Sequence, residues 1–460
     1  MKQALYLFNP ENDMALACGD PYYMAPASAR KMAADLSALP GWYAGDGATV
    51  LLATKEQVAW MEAAACTEGI SALAMPVSAV WAKGSDERLA PVAVRWQCWD
   101  GVAPLTGSEA FERFCPWGWN PSLVRRLREA GIPEALLPDD ERMQTLRTLS
   151  GRQTAVRVLQ RLRERWREPS ACRGGVELLG MSFILTTEAE VKAFVEGRPH
   201  ALLKAPWSGS GRGVQYTHGQ VTDPLQGWVR HVLHTQQAVV GEPFYEKVID
   251  FAMEFRVEAP SVSSDRSFVS PASVPASHSP VRFVGYSWFE TDARGIYKEN
   301  WLASDAAIEA RLAAFVPVEV LHRIRKWLEE ELEQALQGVY EGYLGVDMMV
   351  CRGSEAGSYA LHPCVEINLR TNMGVVARRL YDNYVCPASQ GCYVIEFYPQ
   401  PGEALRCHQA LQKAHPLVVE GGRLRSGYFS LTPVLEDTHY QAYGIVEERE
   451  PFRSVMAHFS

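Results

Sequence analysis

Short apolar runs alternate with helical patterns along the first 140 residues. Residues 4–8 and 49–53 have the continuous apolar pattern of buried strands, whereas residues 26–36 and 55–65 have apolar positions at helical spacing. Strands that alternate with helices are typical of βαβ units around a parallel sheet. We therefore expect an N-terminal α/β domain over residues 1–140.

Helical signals continue into the middle of the chain. The basic segment 152–167 carries its apolar residues on one stripe, and Thr187 with Glu190 predicts a capping box at a helix start. The clearest helical pattern covers residues 320–340, where the apolar positions share one face.

Strand patterns dominate between and after these helices. Residues 200–258 are interpreted as β-rich, with two strands that flank a glycine loop. A Ser- and Pro-rich stretch over 260–280 predicts a loop or hairpin insertion, because strand-like residues resume at 281–289. Short strand-like segments also occur over 386–460.

Composition narrows the function classes. The 460 residues allow about three domains. Hydrophobic residues make up 47% and charged residues 22%, as in ordinary globular proteins. The net charge of −9 disfavours nucleic-acid binding, which draws most of its affinity from cationic side chains at phosphates.

The sequence predicts a cytoplasmic location. Its first apolar run is too short for a signal-peptide core, and no run reaches the roughly 20 residues of a membrane span. The ten cysteines form no CxxC pair. They are interpreted as free thiols in a reducing compartment.

A glycine-rich loop is the first candidate for chemistry. Residues 201–214 are ALLKAPWSGSGRGV, an apolar strand that leads to Lys204 and then to a loop of small residues. Glycines let several backbone N–H groups approach one phosphate, and a lysine adds a point charge. The spacing matches neither a Walker A loop nor a GxGxxG turn. We expect a flap over phosphates; a plain hairpin turn beside a buried lysine is the alternative.

Two acidic strands form the second candidate. Residues 342–350 (GYLGVDMMV) and 359–370 (YALHPCVEINLR) flank a turn signal. A simple antiparallel hairpin centred between residues 356 and 357 would place Asp347 opposite Glu366. Adjacent carboxylates on paired strands are costly unless a cation lies between them.

The same strand adds further polar groups. The period of two places Asn368 and Arg370 on the face of Glu366. Oxygen ligands of this kind suit Mg²⁺, which commonly binds one or two carboxylates together with substrate phosphates. We expect a magnesium site with Arg370 beside a transferring phosphoryl group. A solvent-facing strand with incidental charges is the alternative.

Taken together, these segments resemble the ATP-grasp superfamily over residues 140–385. The resemblance rests on KAPWSGSGRGV at 204–214, GVD at 345–347 and EINLR at 366–370, in that order. It implies an α/β and α+β protein: a βαβ pre-ATP-grasp-like domain, then an ATP-grasp fold of two α+β subdomains. The predicted bounds are 141–240 for the flap subdomain, 241–385 for the magnesium subdomain and 386–460 for a C-terminal extension.

The resemblance also implies residue roles. Lys204 would bind an ATP phosphate, and Arg370 would steady the phosphoryl group. The flap over the β- and γ-phosphates would comprise Ser208, Gly209, Ser210, Gly211, Arg212 and Gly213. Asp347, Glu366 and Asn368 would hold two Mg²⁺ ions, for which Mn²⁺ is a possible substitute.

The adenine hinge is expected after residues 238–240. Glu242 is then the hinge residue and Asp250 the ribose ligand. Pro243 has no N–H, so the backbone donor to adenine would be Phe244 or Tyr245. A shifted alignment would use Glu246 and Glu254 instead.

The sequence departs from the family pattern at two basic positions. Arg152 stands where the family usually has an upstream basic residue for the α-phosphate; a helix-surface charge is the alternative. Gly345 stands where an arginine often precedes the first acidic ligand. Arg256 is the candidate that replaces this arginine as a catalytic residue.

The N-terminal domain is expected to contact the second substrate. Asn9, Asn12 and Asp13 follow the first predicted strand, and ligands of α/β sheets bind beyond the carboxyl ends of strands. A capped turn that enters a helix at Met14 is the alternative.

The implied activity is that of an ATP-dependent ligase. It would activate a small-molecule carboxylate as an acyl phosphate and join it to an amine or amino acid, with release of ADP and phosphate. A small-molecule kinase of the same fold and a nucleotide-binding regulatory protein are the alternatives. Neither nucleic acid nor membrane is an expected partner, and the oligomeric state is left open.

Overall fold

The computed structural model describes residues 4–45, 47–66, 94–99, 111–167, 175–208, 213–258, 280–291, 297–336 and 338–448. The flap residues Gly209, Ser210, Gly211 and Arg212 lie outside the described residues. The Ser- and Pro-rich segment 259–279 lies outside them as well.

The N-terminal part is built around four parallel strands. Its strands are β1 (Ala4–Leu7), β2 (Thr49–Leu52), β3 (Arg95–Cys98) and β4 (Arg113–Pro116), and its helices are α1 (Asn12–Cys18), α2 (Ala27–Asp35), α3 (Lys55–Cys66) and α4 (Pro121–Glu129), with short 3₁₀ turns at Leu39–Trp42 and Glu134–Leu136. The strand order is β3-β2-β1-β4, all parallel. This confirms the predicted βαβ architecture, although α1 begins at Asn12, two residues earlier than expected.

A second, smaller sheet carries the glycine loop. After α5 (Asp140–Leu149), α6 (Arg152–Trp166) and β5 (Glu177–Leu178), it comprises β6 (Phe183–Leu185), α7 (Glu188–Glu196), β7 (Ala201–Lys204), β8 (Val214–Thr217), α8 (Asp223–Gln236) and β9 (Val239–Pro243). The strand order is β6-β9-β7-β8, all antiparallel. The predicted capping box of Thr187 and Glu190 is present at the start of α7.

Helix α8 corrects the interpretation of residues 200–258 as β-rich. Its buried residues Leu225, Val229 and Val232 recur at helical spacing, and Pro224 lies in the first turn, where a proline is tolerated. The strand patterns on both sides of this segment obscured a helix that its own periodicity supports.

A ten-stranded sheet forms the remainder of the described chain. Its elements are β10 (Lys247–Val257), β11 (Val281–Thr291), β12 (Tyr297–Leu302), α9 (Asp305–Leu312), α10 (Val318–Leu336), β13 (Gly342–Arg352), β14 (Tyr359–Asn368), α11 (Met373–Tyr384), β15 (Ser389–Phe397), α12 (Glu403–Ala414), β16 (Val418–Glu420), β17 (Arg423–Ser430) and β18 (Tyr440–Glu448). The strand order is β16-β17-β18-β15-β12-β11-β10-β13-β14-β5. The C-terminal strands thus continue the sheet that contains the acidic strands.

Amphipathic helices cover this sheet as their sequences predict. The apolar face of α10, with Leu321, Ile324 and Leu328, is fully buried. Helix α6 buries Leu159 and Leu162 and packs against β14. Helix α6 and strand β5 therefore lie on the ten-stranded sheet, although the predicted boundary at residue 141 assigns them to the flap subdomain. The domain bounds themselves remain predictions.

The predicted fold class is confirmed. A parallel α/β domain precedes two α+β units, one with the lysine and glycine loop and one with the acidic strands. Within the described ranges, no helix is long and apolar enough to cross a membrane.

The buried His408 of α12 makes stability depend on pH. Its Nδ1 lies 2.7 Å from the Tyr428 hydroxyl, and burial lowers the pKa of His408 to about 4. Below the ordinary pKa of about 6.5, the unfolded chain takes up a proton that the folded chain excludes until about pH 4. As the pH is lowered from about 6.5 to about 4, the free energy of unfolding should therefore decrease, and His408 contributes at most about 1.4 kcal/mol per pH unit to this decrease.

We expect His408→Asn to reduce the loss of melting temperature between pH 7.5 and pH 5. The matched control is His231→Asn, which alters an exposed histidine of α8. An equal loss of melting temperature in wild type and His408→Asn would contradict this assignment.

Candidate active site

Strands β13 and β14 bring the two acidic residues together. Asp347 pairs directly with Glu366, as predicted. The hairpin is not a simple one, because the register shifts between Asp347–Glu366 and Met349–His362. Pro363, which cannot donate a ladder hydrogen bond, lies in this bulge. The extra residues also move the turn, so its predicted centre between residues 356 and 357 was wrong.

The two carboxylates repel each other. Burial and the neighbouring charge of Glu366 raise the pKa of Asp347 to about 7. The Asn368 amide donates a hydrogen bond to Asp347 over 3.0 Å, which partly compensates. A bound cation would favour the ionised form of both carboxylates.

Arg152 connects the acidic strands to the flap. Its guanidinium donates to the backbone oxygen of Ala205 over 2.5 Å and to the Ser208 hydroxyl over 2.7 Å. The other terminal nitrogen lies 3.0 Å from the Glu366 carboxylate. Arg152 is buried, so it is not the helix-surface charge that was its alternative interpretation. One side chain therefore holds the base of the glycine loop beside the proposed metal ligands.

The described ends of the glycine loop close on each other. The Ala205 N–H donates to the Gly213 oxygen over 2.8 Å, and Lys204 pairs with Val214 in the ladder. A Cβ on Gly213 would lie 2.4 Å from the Ser208 Cβ, so only glycine permits this approach. The described ends of the loop thus lie side by side where two antiparallel strands meet, and its role as a flap stays a prediction.

Lys204 and Glu242 form a buried ion pair. Their side chains lie on neighbouring strands, and Lys204 Nζ is 2.5 Å from Glu242 Oε2. Burial would raise the pKa of Glu242, but Lys204 and His362 together lower it. Ser182 also donates to Glu242 over 3.1 Å. Glu242, the predicted hinge residue, is therefore the counter-ion of the predicted phosphate lysine.

The hinge segment leaves one of the two predicted backbone donors available. The Phe244 N–H donates to the His200 oxygen over 3.3 Å, which favours Tyr245 as the donor to adenine. The Tyr245 hydroxyl accepts from the Met181 N–H over 3.0 Å. Glu246, the alternative hinge residue, is exposed and weakly paired with Arg352.

Asp250, the predicted ribose ligand, lies on β10. Its carboxylate contacts Lys247 and accepts from the Thr291 hydroxyl over 2.9 Å. Strand alternation places it on the same sheet face as Asp347, because Asp347 pairs with Ala252. Asp250 is thus on the cleft face, although its role stays a prediction.

Arg370 contacts the N-terminal domain. Its Nε and Nη2 donate to the Asp13 carboxylate over 3.0 and 2.8 Å, and Nη2 also donates to Asn368 over 3.1 Å. Asp13 is therefore brought to the cleft, as predicted for a residue near the substrate. The carboxylate of Asp13 occupies the guanidinium fork that would otherwise bind a planar anion.

Asn9 and Asn12 have structural roles at this position. Asn9 is buried and donates to the Gly118 oxygen over 2.8 Å. Asn12 is buried against Asn120, with 3.0 Å between their side chains. Both amides join the loop after β1 to the loop before α4, and the small cleft beside Glu366 and Arg370 is lined by Asn12 but not by Asn9. Both ends of the Asn9 amide are thus bonded within the protein, whereas Asn12 lines the cleft and its contact with a substrate stays a prediction.

Glu254, which the sequence suggests only in the alternative hinge alignment, lies within the site. This fully buried carboxyl accepts from the Asn372 amide over 2.8 Å, and burial raises its pKa to about 8. It lies directly over Gly345: a Cβ there would be 2.6 Å from Glu254 and 2.3 Å from Asn372. The absence of an arginine at position 345 therefore has a steric reason.

We expect Gly345→Ala to destabilise the protein by about 1–3 kcal/mol, because the added methyl group displaces the Glu254–Asn372 pair. Urea-induced unfolding measures the effect. Gly227→Ala is the control, since a Cβ at that position of α8 meets no atom within 4 Å. Equal stability of Gly345→Ala and wild type would show that this pair is not fixed.

Arg256 is not part of the acidic cluster. Its guanidinium carbon lies 5.3 Å from the centroid of the Tyr343 ring and lines a separate cavity. It pairs with Tyr343 across the strands, four residues from the partner of Asp347. The structure thus does not bring Arg256 to the position that a replacement for the missing arginine would need.

The oxygen atoms of this cluster fit a magnesium ion. Asp347 and Glu366 supply two carboxylates side by side, and Asn368 adds an amide. No group of three or more His, Cys, Asp or Glu side chains among the described residues could hold a metal alone. A two-carboxylate set suits Mg²⁺, which completes its shell with water and phosphate oxygens.

The smaller sheet with the glycine loop and the acidic strands of the large sheet meet at one cleft, where Arg152 joins them. No known family model matches the chain, and no curated protein matches it. Among solved structures, it is similar to N5-carboxyaminoimidazole synthetase from Staphylococcus aureus in complex with ADP, at 9% identity and a TM-score of 0.47, covering 100% of this chain and 96% of that one. It is also similar to biotin carboxylase from Campylobacter jejuni in complex with an ATP analogue, at 12% identity and a TM-score of 0.48, covering 99% and 89%. Likenesses this distant assign no activity to the chain.

Proposed function

We propose that this protein is an ATP-dependent ligase that joins a small-molecule carboxylate to an amine or amino acid. The observation that carries the proposal is the position of Arg152, which bonds at once to Ser208 of the flap and to Glu366 of the acidic pair. This position supports the proposal because it links the glycine loop to the acidic strands, and a magnesium nucleotide requires phosphate-binding and metal-binding groups in one cleft.

Each group of the cleft has a role in this proposal. Lys204 and the flap bind the phosphates, while Asp347, Glu366 and Asn368 hold Mg²⁺, which neutralises charge on the β- and γ-phosphates. Arg370 orients the substrate carboxylate and the phosphoryl group that it receives. The Tyr245 N–H is the proposed donor to adenine.

The proposed reaction has two steps. A substrate carboxylate oxygen bonds to the γ-phosphorus as the bond to the β-phosphate oxygen breaks, which yields an acyl phosphate and ADP. The amine then attacks the carbonyl carbon, and the carbon–oxygen bond to phosphate breaks with loss of the amine proton. Closure of the flap excludes the water that would hydrolyse the intermediate.

Nucleotide binding must exchange ion pairs that the structure contains. Lys204 is bound to Glu242, Arg152 to Glu366 and Arg370 to Asp13. These internal partners neutralise the cleft, so the phosphates and the cation would replace them rather than enter an uncompensated site. This exchange makes the cation and the nucleotide bind together.

The proposal is tested by measuring how much ADP the protein forms from ATP when candidate carboxylates and amines are added. A ligase forms ADP only when both the carboxylate and the amine are present, and a kinase forms ADP with a single substrate. A nucleotide-binding regulator forms little ADP whichever compounds are added. ADP release that requires no amine would contradict ligation. The cytoplasmic location and the second Mg²⁺ remain predictions.

A further inference from the structure

A second cavity lies beside the proposed nucleotide cleft. Residues of β1 and β4 of the parallel sheet and of β10 and β13 of the large sheet line it, and its volume is about 250 Å³. Small-molecule pockets usually measure about 300–1,000 Å³, so this cavity fits a compound of about one ring.

The walls of the cavity are aromatic. Tyr6, Tyr43, Trp117 and Tyr343 line it. Tyr43 is only 4% exposed, and the neighbour with which its hydroxyl can hydrogen-bond is Thr371, which also lines the cavity. A phenol hydroxyl both donates and accepts, so it can bond to a polar group of a ligand as well as to Thr371.

Several charged side chains line the cavity, and among them the guanidinium of Arg256 has no carboxylate partner in the described part of the chain. Arg113 is paired with Glu341 at 2.6 Å, and Glu112 and Arg142 also line the space. Arg256 forms no ion pair with any described residue; its guanidinium lies over the face of Tyr343, and its cross-strand neighbour Arg282 is itself a cation. Its donors remain available for an anion.

The cavity is aligned with the acidic cluster. Arg256 and Ala252 lie on one face of β10, opposite Tyr343 and Asp347 respectively. Four residues along a strand correspond to about 13 Å. After strand β14 the cleft and the cavity come closer together, because consecutive residues line them: Arg370 lines the cleft and Thr371 lines the cavity.

From these observations we propose that the cavity binds a small ring-bearing anion whose charged group contacts Arg256, a ligand distinct from the carboxylate that Arg370 would orient. This inference does not rest on the proposed ligase function, because the ligand that it names is neither the nucleotide nor the carboxylate that would receive the phosphoryl group. The ring packs between the tyrosines and Trp117, and the Tyr43 hydroxyl bonds to a polar substituent. The class includes aromatic and heteroaromatic carboxylates.

Binding without nucleotide tests the inference separately from catalysis. We expect benzoate and 4-aminobenzoate to bind the wild-type protein in calorimetric titrations, while acetate, which lacks a ring, and benzylamine, which is a cation, do not. Arg256→Ala should weaken binding of the aromatic carboxylates at least tenfold, and Arg256→Lys should retain part of it. Arg282→Ala is the control, because Arg282 pairs with Arg256 across the strands but does not line the cavity.

Two outcomes would overturn the inference. One is that no aromatic carboxylate binds the wild-type protein at millimolar concentration; the other is that Arg256→Ala, with an unchanged melting temperature, binds them like wild type. Glu366→Gln should retain this binding while it loses ADP production. Loss of turnover and loss of cavity binding therefore report on the two proposals separately.

Discussion

Replacing Glu366 by glutamine is expected to abolish magnesium-dependent ATP turnover, with a loss of at least about 100-fold in kcat/KM. Glutamine has nearly the same shape and keeps an oxygen that can accept from Arg152, 3.0 Å away in the wild type. It removes the negative charge that a cation between residues 347 and 366 requires. Steady-state ADP production at saturating Mg²⁺ measures the loss.

A control from the same hairpin separates charge from fold. Glu355 lies exposed in the turn between β13 and β14, so Glu355→Gln removes the same charge far from the cleft. We expect Glu355→Gln to retain wild-type turnover, and both variants to melt near the wild-type temperature. Wild-type turnover in Glu366→Gln would remove the metal assignment.

Lys204→Met is expected to weaken ADP binding at least about tenfold and to destabilise the fold by roughly 3–5 kcal/mol. ADP binding weakens because the variant lacks the cationic side chain that is proposed to bind the phosphates. The fold is destabilised because Glu242, which is only 3% exposed, loses its 2.5 Å partner and remains as an unpaired buried charge. Calorimetric titration and chemical unfolding measure the two effects independently.

A double variant distinguishes the two effects. Lys204→Met combined with Glu242→Gln removes both charges, so stability should recover while ADP affinity should not. Lys192→Met is the control, because Lys192 forms only an exposed pair with Glu196. Full recovery of ADP affinity in the double variant would place the phosphate site elsewhere.

Local periodicity was sufficient to predict much of the fold. The stripe of α10, the capping box of α7 and the strands around the glycine loop follow from rules that act over a few residues. The pairing of Asp347 with Glu366 was also correct, although the hairpin contains a bulge at Pro363. The shifted turn and the extra residues of the bulge compensate for each other.

Contacts between distant segments could not be predicted in this way. Arg152 is 214 residues from Glu366, and Arg370 is 357 residues from Asp13. Such pairs depend on how separate sheets pack, which no local period encodes. The residue pattern indicated the type of each side chain near the cleft but not its partner.

The buried acids illustrate the same limit. Glu242 was assigned to the hinge from its place at a strand end, yet its carboxylate faces Lys204 because β7 and β9 are neighbours. Glu254 was only an alternative, since the sequence does not show that Gly345 leaves room for it. Both assignments require the order of strands in a sheet.

The central claim is that Lys204 and the Asp347–Glu366 pair bind one metal–nucleotide complex. Crystals grown with ADP and Mn²⁺, which has a strong anomalous signal, test this most directly. We predict an anomalous peak between the Asp347 and Glu366 carboxylates, with the diphosphate beside Lys204. A manganese peak or a diphosphate located away from the cleft between the glycine loop and strands β13 and β14 would contradict the claim.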